Sequence, residues 1–298
     1  MRVLVTGAGG QIGRALLESV PAGVEVLGLT HRDLDLADAR GLEECLRKRT
    51  PDVVVNAAAY TAVDRAESEP EAAATVNARG PAYLAGAARA VRARVIHLST
   101  DFVFDGESSH PYRPESTTAP LSVYGRTKLE GERAVLATYP ERALILRTAW
   151  VYDAAGKNFV CTMLRLMRAT GAVRVVSDQV GSPTAAQSVA EVIWRVIGRP
   201  DLTGIHHWTD AGVASWYDLA IAVAEEAVPL GLLANEPTVT PIRSEEYPTP
   251  ARRPAYSVLD RSSLASVAGP PVHWRKMLRR VLEQIARAED GAPEPAGA

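Results

Sequence analysis

Tyr124 and Lys128 stand four residues apart in Ser-Val-Tyr-Gly-Arg-Thr-Lys-Leu-Glu-Gly-Glu. On a helix, that spacing puts a phenol and an ammonium on one face. A cation beside a phenol favours its ionised form, so a group with an ordinary pKa of about 10 is expected to exchange protons nearer neutrality. Ser99-Thr100-Asp101 closes an apolar run and brings hydroxyls to the end of an expected strand. These residue types fit proton transfer. A Tyr and a Lys at this spacing more often decorate a solvated helix, so the reading depends on what positions them.

The N-terminus offers a second constellation. Arg2–Thr6 is a β-branched apolar run leading into Gly7-Ala8-Gly9-Gly10-Gln11-Ile12-Gly13, with glycines three apart at Gly7, Gly10 and Gly13. Such residues allow a tight turn, let backbone approach a pyrophosphate and pack the following helix on the sheet, while the helix N-terminus presents N–H groups to the anion. Dinucleotide folds often carry an acid at the end of the second strand for the ribose hydroxyls. Here the strand ends in Leu29-Thr30-His31-Arg32, which tolerates a 2′-phosphate and tilts the expected cofactor towards NADPH, with NADH as the alternative. Asp35 is placed to meet the adenine edge instead. Small residues at Asn56-Ala57-Ala58-Ala59 suit a cofactor lying across the strand ends.

The elements that must position these groups alternate. Strands are expected at 2–6, 24–29, 52–55, 93–98 and 143–146, and helices at 11–20, 38–48, 69–91 and around Tyr124. That rhythm predicts an α/β fold, a Rossmann-type doubly wound parallel sheet covered on both faces. Beyond Trp150 it loosens, with helices expected at 185–197, 215–227 and 276–287. The expected division is a dinucleotide-binding domain over 1–150, a smaller mixed substrate region over 151–288 that can interleave with it, and a flexible Pro/Gly/Ala-rich tail over 289–298.

Composition excludes little but is consistent. The 298 residues are 47% hydrophobic and 23% charged with a net charge of -2, so no nucleic-acid or membrane surface held by bulk charge is expected. Cys45 and Cys161 lie far apart with no metal or redox spacing, and Cys45 reads as a buried free thiol. No leader is read at Met1 and no apolar run approaches membrane-spanning length, so a reduced, cytoplasmic setting is expected. His206 and His207 lack a matching carboxylate cluster and read as strand residues, with Trp208 in the core; no metal site is assigned.

Longer motifs carry a resemblance. They are Gly-Gly-Gln-Ile-Gly13, Asn56-Ala-Ala-Ala-Tyr-Thr-Ala-Val-Asp64, Glu67-Ser-Glu-Pro70 and Ser99-Thr-Asp-Phe-Val-Phe-Asp-Gly106. Further on come Tyr124-Gly-Arg-Thr-Lys128, Arg147-Thr-Ala-Trp-Val-Tyr152, Asp178-Gln-Val-Gly-Ser-Pro-Thr184 and Tyr247-Pro-Thr-Pro-Ala-Arg-Arg-Pro254. Across nearly its whole length the chain resembles the extended short-chain dehydrogenase/reductases and, within them, the dTDP-4-dehydrorhamnose reductases. The resemblance implies hydride transfer from NAD(P)H to C4 of a dTDP-linked 4-keto-6-deoxysugar, with Tyr124 as proton donor, Lys128 binding the nicotinamide ribose and holding down the phenol pKa, and Thr100 bonding the reacting region. It implies cofactor contacts from Gln11, Ile12, Arg32, Asp35, Leu36, Ala57, Ala59, Tyr60, Thr61 and Leu98, and sugar contacts from Asp101, Trp150, Arg252 and Arg253. Asn158 and Gln179 are weaker candidates, and a homodimer is compatible.

Four other readings share the fold. A 4,6-dehydratase usually carries an Asp-Glu pair where Asp101 is followed here by Phe102. A 4-epimerase would recycle tightly held NAD⁺. A non-catalytic regulatory subunit would have no need of Thr100, Tyr124 and Lys128 together. A reductase of a different nucleotide-linked ketosugar is the nearest rival, because no spacing reveals how the sugar is presented.

Overall fold

Five parallel strands in chain order form most of the central sheet in a computed structural model that describes residues 1–291: β1 (Arg2–Thr6), β2 (Glu25–Leu29), β3 (Val53–Asn56), β4 (Arg94–Thr100) and β5 (Ala143–Thr148). A sixth, Gly204–His207, adds beside β5, so the spatial order is Gly204–His207, β5, β4, β3, β1, β2. Every residue of β3, β4 and β5 is buried, as apolar runs in a sheet covered on both faces must be. The order reverses between β1 and β3, which opens a crevice at their carboxyl ends. Register brings Thr6 beside Asn56 and Thr100 beside Thr148, so the loops after four strands share one rim.

One face is packed by the helices Gln11–Glu18 and Ala186–Ile197, through Leu16, Val189 and Ile193. The other is packed by Ala39–Arg49, Gly80–Ala90 and Val123–Thr138, through Leu42, Leu46, Leu84 and Val135. Asp38 caps helix 39–49, accepting from Gly41 N at 2.9 Å. Cys45 is only half-buried on that helix, a correction to its reading as a buried thiol.

The single helix expected over 69–91 is three pieces: Pro70–Ala74, a π-helical turn at Thr75–Arg79, and Gly80–Ala90. Pro81 has no N–H to give to the Asn77 carbonyl four residues back, and its ring crowds that carbonyl. The wider π turn relieves the crowding and swings Asn77 inward, where it is fully buried.

Beyond residue 150 the chain passes back and forth. Helix 186–197 and strand 204–207 belong to the sheet, whereas the helices Phe159–Thr170, Trp216–Ala227 and Trp274–Glu289 enclose a separate core of Met163, Leu219, Val223 and Leu278. Within it Ala172–Val176 pairs in parallel with Thr238–Ile242. Glu289, expected to open the tail, instead ends the last helix, and its two carboxylate oxygens accept from Arg168 Nη1 and Nη2 at 2.9 and 2.8 Å. Residues 292–298 lie outside the described residues.

Candidate active site

A cavity of about 1020 Å³ runs along the carboxyl ends of β1, β3, β4 and β5 and reaches the second core. Its floor begins at the glycine loop. Gly7 has φ of 70°, and a Cβ there would lie 2.5 Å from Ala58 N; a Cβ on Gly13 would lie 2.2 Å from the Gly7 carbonyl oxygen. The first is a backbone position that only glycine fits, and the second presses helix onto strand. Gly10 caps helix 11–18 without a side-chain bond, which leaves the first-turn N–H groups for an anion. Gly7, Gly10, Gln11, Ile12, Asp35, Leu36, Ala57, Ala59, Tyr60, Thr61 and Leu98 all line this cavity.

Gly13 packs beneath the cavity, and Arg32 and Arg252 are outside its lining. Asp33 accepts from Thr30 N and Oγ1 at 2.8 and 2.6 Å, closing a turn that leaves Arg32 on the outer surface. Thr30 and His31 line the rim instead. His31 Nδ1 lies 3.8 Å from the Asp35 carboxylate.

The reacting centre is assembled by helix 123–138. Ser122 caps it, accepting from Gly125 N at 3.2 Å. A Cβ on Gly125 would lie 2.1 Å from the Phe102 carbonyl oxygen, so this glycine lets the helix start meet the end of β4. The Phe102 ring stands edge-on to Tyr124 with centroids 5.5 Å apart. Thr100 Oγ1 donates to Asp101 Oδ1 at 3.0 Å and accepts from Phe102 N at 3.2 Å. Tyr124, Lys128, Thr100 and Asp101 all face the same cavity.

The electrostatics correct the expectation of a lysine-lowered phenol. Lys128 is buried, and its Nζ donates to the Leu98 carbonyl at 2.6 Å. Burial pushes the Tyr124 phenol up to about 12, opposed by its bond with Thr100 and reinforced by Asp101. Burial likewise pushes Lys128 down to about 8, with Glu132 opposing. Asp101 is pushed up to about 6 by burial, against bonds from Ser257 and Thr100. Spacing alone shows neither the strand carbonyl that takes the ammonium nor the depth of the site.

Buried Asn77 braces the floor. Its Oδ1 accepts from Tyr60 N at 2.8 Å, and its Nδ2 donates to Tyr60 O at 3.1 Å and Thr127 Oγ1 at 3.2 Å. Nothing in the sequence marks this π turn except the later proline, so Asn77 does not stand out there as a site residue.

At the far end Trp150 lines the cavity with φ of 50°, its ring flat on Trp216. Gly181 makes room for that ring: a Cβ there would lie 2.5 Å from Trp150 Cε2. Gln179 Oε1 accepts from Trp216 Nε1 at 3.1 Å, while its Nε2 donates to Ser244 Oγ at 2.9 Å. Trp216 is inconspicuous in the sequence because it falls in the first turn of the helix expected over 215–227. Arg253 reaches the lining but is tied to Asp64, Nη2 to Oδ2 at 2.8 Å. Arg14, equally inconspicuous, lines the glycine-loop end and pairs with Asp153 at 2.9 Å.

Other candidates resolve into structure. Asn158 caps helix 159–170, accepting from Cys161 N at 2.9 Å. His206 and His207 lie on the sixth strand, with Trp208 buried beside them. Among the described residues no cluster of three metal-ligating side chains occurs. No helix among them is long and apolar enough to cross a membrane.

Comparison with known proteins decides the family. The sequence pattern described as the RmlD substrate binding domain matches residues 1–287. The chain belongs to the dTDP-4-dehydrorhamnose reductase family. A dTDP-4-dehydrorhamnose reductase of Aggregatibacter actinomycetemcomitans is 41% identical over 94% of this chain and 98% of its own. A probable dTDP-4,6-dihydroxy-2-methyloxan-3-one 4-ketoreductase of Streptomyces antibioticus is 43% identical over 97% of both chains. The structure of the Bacillus anthracis dTDP-4-dehydrorhamnose reductase in complex with NADP superposes with a TM-score of 0.89, at 31% identity, covering 95% of this chain and 99% of that one. That protein and this chain thus share one fold over nearly their full length.

Proposed function

We propose that this protein is an NADPH-dependent reductase of dTDP-4-dehydro-L-rhamnose, forming dTDP-L-rhamnose. The observation that carries it is the convergence of Tyr124, Lys128 and Thr100 with the glycine loop on one cavity. The cavity suits a dinucleotide by its own geometry. Gly7 and Gly13 let strand, turn and helix close up so that backbone forms the cavity floor, and the buried Gln11 Oε1, Asp101 Oδ2 and Thr148 Oγ1 have no hydrogen-bond partner among the described residues. Gly10 and the first turn of helix 11–18 would hold the pyrophosphate, Asp35 and Leu36 the adenosine, and Ala57, Ala59, Tyr60, Thr61 and Leu98 the middle of the cofactor. When bound, the cofactor supplies the hydride.

The chain's own residues do the rest. Tyr124 stays protonated at neutral pH because burial opposes its ionisation, so it is a donor ready for the oxygen that becomes an alkoxide. Thr100 is within reach of the phenol, and by turning its hydroxyl from Asp101 to Tyr124 it would stabilise the phenolate left behind. Lys128 is held by the Leu98 carbonyl with its other protons available to the ribose hydroxyls. Trp150 and Trp216 offer an apolar face to the deoxysugar, and Arg253 sets a cation for the diphosphate. The second lobe, built around helices 159–170, 216–227 and 274–289, would receive the nucleotide.

A second reading, reduction of another nucleotide-linked 4-ketosugar, has the Streptomyces relative in its favour. A coupled assay decides: NADPH oxidation with dTDP-4-dehydro-L-rhamnose, repeated with NADH and with the D-xylo precursor. The expected result is turnover with the L-sugar and NADPH. Turnover with only a different ketosugar would transfer the assignment, and NADPH binding without oxidation of any would indicate a regulatory subunit.

A further inference from the structure

Below the reacting centre lies a buried ionic cluster that the mechanism above does not use. Glu132 sits one turn after Lys128 on the same helix and is 1% exposed. Its carboxylate accepts from Arg147 Nε at 2.8 Å and from Arg147 Nη2 at 2.6 Å, and the Ser99 hydroxyl donates to it as well. Arg147 is on β5 and is the register partner of Ser99 on β4. The next pair along, Thr100 and Thr148, faces the cavity, and the residue before Ser99 is Leu98, whose carbonyl holds Lys128.

We propose that Glu132 is a positioning residue for the reaction: clamped by Arg147 and Ser99, it fixes the helix carrying Tyr124 and Lys128 against the strand ends carrying Leu98 and Thr100. The proposal rests on the roles given above to Tyr124 and Lys128. A buried ion pair is weak evidence for stability as such, because apolar residues of similar volume often serve as well or better. What apolar residues cannot reproduce is three directional, charge-assisted bonds reaching one helix and two strands at one level. The arrangement sets a buried charge pair directly beneath the chemistry, one helical turn below Lys128 and one strand residue below Thr100.

The charge also reaches Lys128. Glu132 favours its ammonium against the desolvation that pushes it down. The other titratable group that bears on Lys128 is His97 on β4, a buried imidazole whose protonation burial and Lys128 oppose, while Tyr124 and Asp101 line the same cavity. The anion that acts on Lys128 is Glu132.

The test uses the full chain with NADPH and the ketosugar that the coupled assay identifies. Glu132→Gln should lower kcat at least tenfold, change KM and NADPH affinity less than threefold, and move the alkaline limb of kcat/KM to lower pH. Because that variant leaves Arg147 charged and unpaired, Glu132→Leu combined with Arg147→Met is the decisive double variant. It should keep the wild-type melting temperature within a few degrees yet show the same loss of kcat and the same acid-ward limb. A double variant that folds and turns over within twofold of wild type, with an unmoved pH profile, overturns the proposal. Should the double variant not fold, Ser99→Ala, which removes one bond of the clamp, takes its place: a three- to fivefold lower kcat supports positioning and an unchanged kcat overturns it. Failure of the wild-type protein to oxidise NADPH with any ketosugar would instead defeat the assigned reaction.

Discussion

Trp150 lies face to face on Trp216, ring centroids 3.5 Å apart and planes within 1°. One ring comes from the turn after β5 and the other from the first residue of helix 216–227, so the pair bridges the sheet and the second lobe across the cavity. Stacked aromatics contribute about 0.5–1.5 kcal/mol beyond the area they bury. Trp216→Ala should raise KM for the nucleotide sugar roughly tenfold, leave NADPH affinity intact and lower kcat less than KM rises. Steady-state kinetics with each ligand varied in turn checks this; an NADPH affinity that falls equally would place Trp216 in the cofactor site.

The space that admits Trp150 is set by Gly181. A methyl there would collide with the indole, and shifting the ring would also unseat Trp216. Gly181→Ala should therefore mimic Trp216→Ala in KM and cost about 1–3 kcal/mol in stability through overpacking. Urea denaturation alongside the kinetics would show both effects, and a variant with unchanged KM would dissociate the stack from sugar binding.

Tyr124→Phe removes the phenolic oxygen and little else. Turnover should fall by roughly 10²–10⁴ with NADPH affinity retained, the usual range for loss of a positioned general acid. Single-turnover NADPH oxidation measures the step directly, and an unaltered rate would remove Tyr124 from the chemistry.

Asp101 gives the chain a pH-dependent stability. Its folded pKa of about 6 is above the ordinary 3.8, so the folded state binds the proton more tightly than the unfolded chain. The stability it contributes is full below about pH 4 and is lost as pH rises through 6. Asp101→Asn should consequently be more stable than wild type at pH 8, by up to about 3 kcal/mol, with the advantage gone at pH 4. Urea midpoints across that range test the sign; a constant difference between the two proteins would refute it.

Arg253 is shared between Asp64 and the cavity. Arg253→Met should raise KM for the nucleotide sugar roughly tenfold or more while leaving the NADPH dissociation constant within about twofold. Fluorescence titration of NADPH separates the two.

Much of this was legible in the linear chain because it is local. Alternating apolar runs require buried parallel strands, glycines at 7, 10 and 13 require a tight strand–helix turn, and the 124–128 spacing requires one helix face. Strand starts and ends fell within a few residues of the expected ones. What stayed hidden needs partners distant in sequence. The helix expected over 69–91 broke where Pro81 met Asn77, and Asn77 became a brace only because Thr127 and Tyr60 come to it. That Arg32 stands exposed beside the rim residues Thr30 and His31, and not in the lining itself, is visible only once the Thr30–Asp33 turn is folded.

The electrostatics depended on tertiary structure most of all. Residue types at fixed spacing specified that a phenol, an ammonium and a hydroxyl would meet, and that a glycine-rich turn would stand beside them. Whether Lys128 would lower the phenol or turn to a strand carbonyl depended on where Leu98 ended, how deeply the helix was buried and which ions packed under it. Those are properties of the assembled dielectric and of contacts between β4, β5 and helix 123–138, and spacing along one segment carries no information about them.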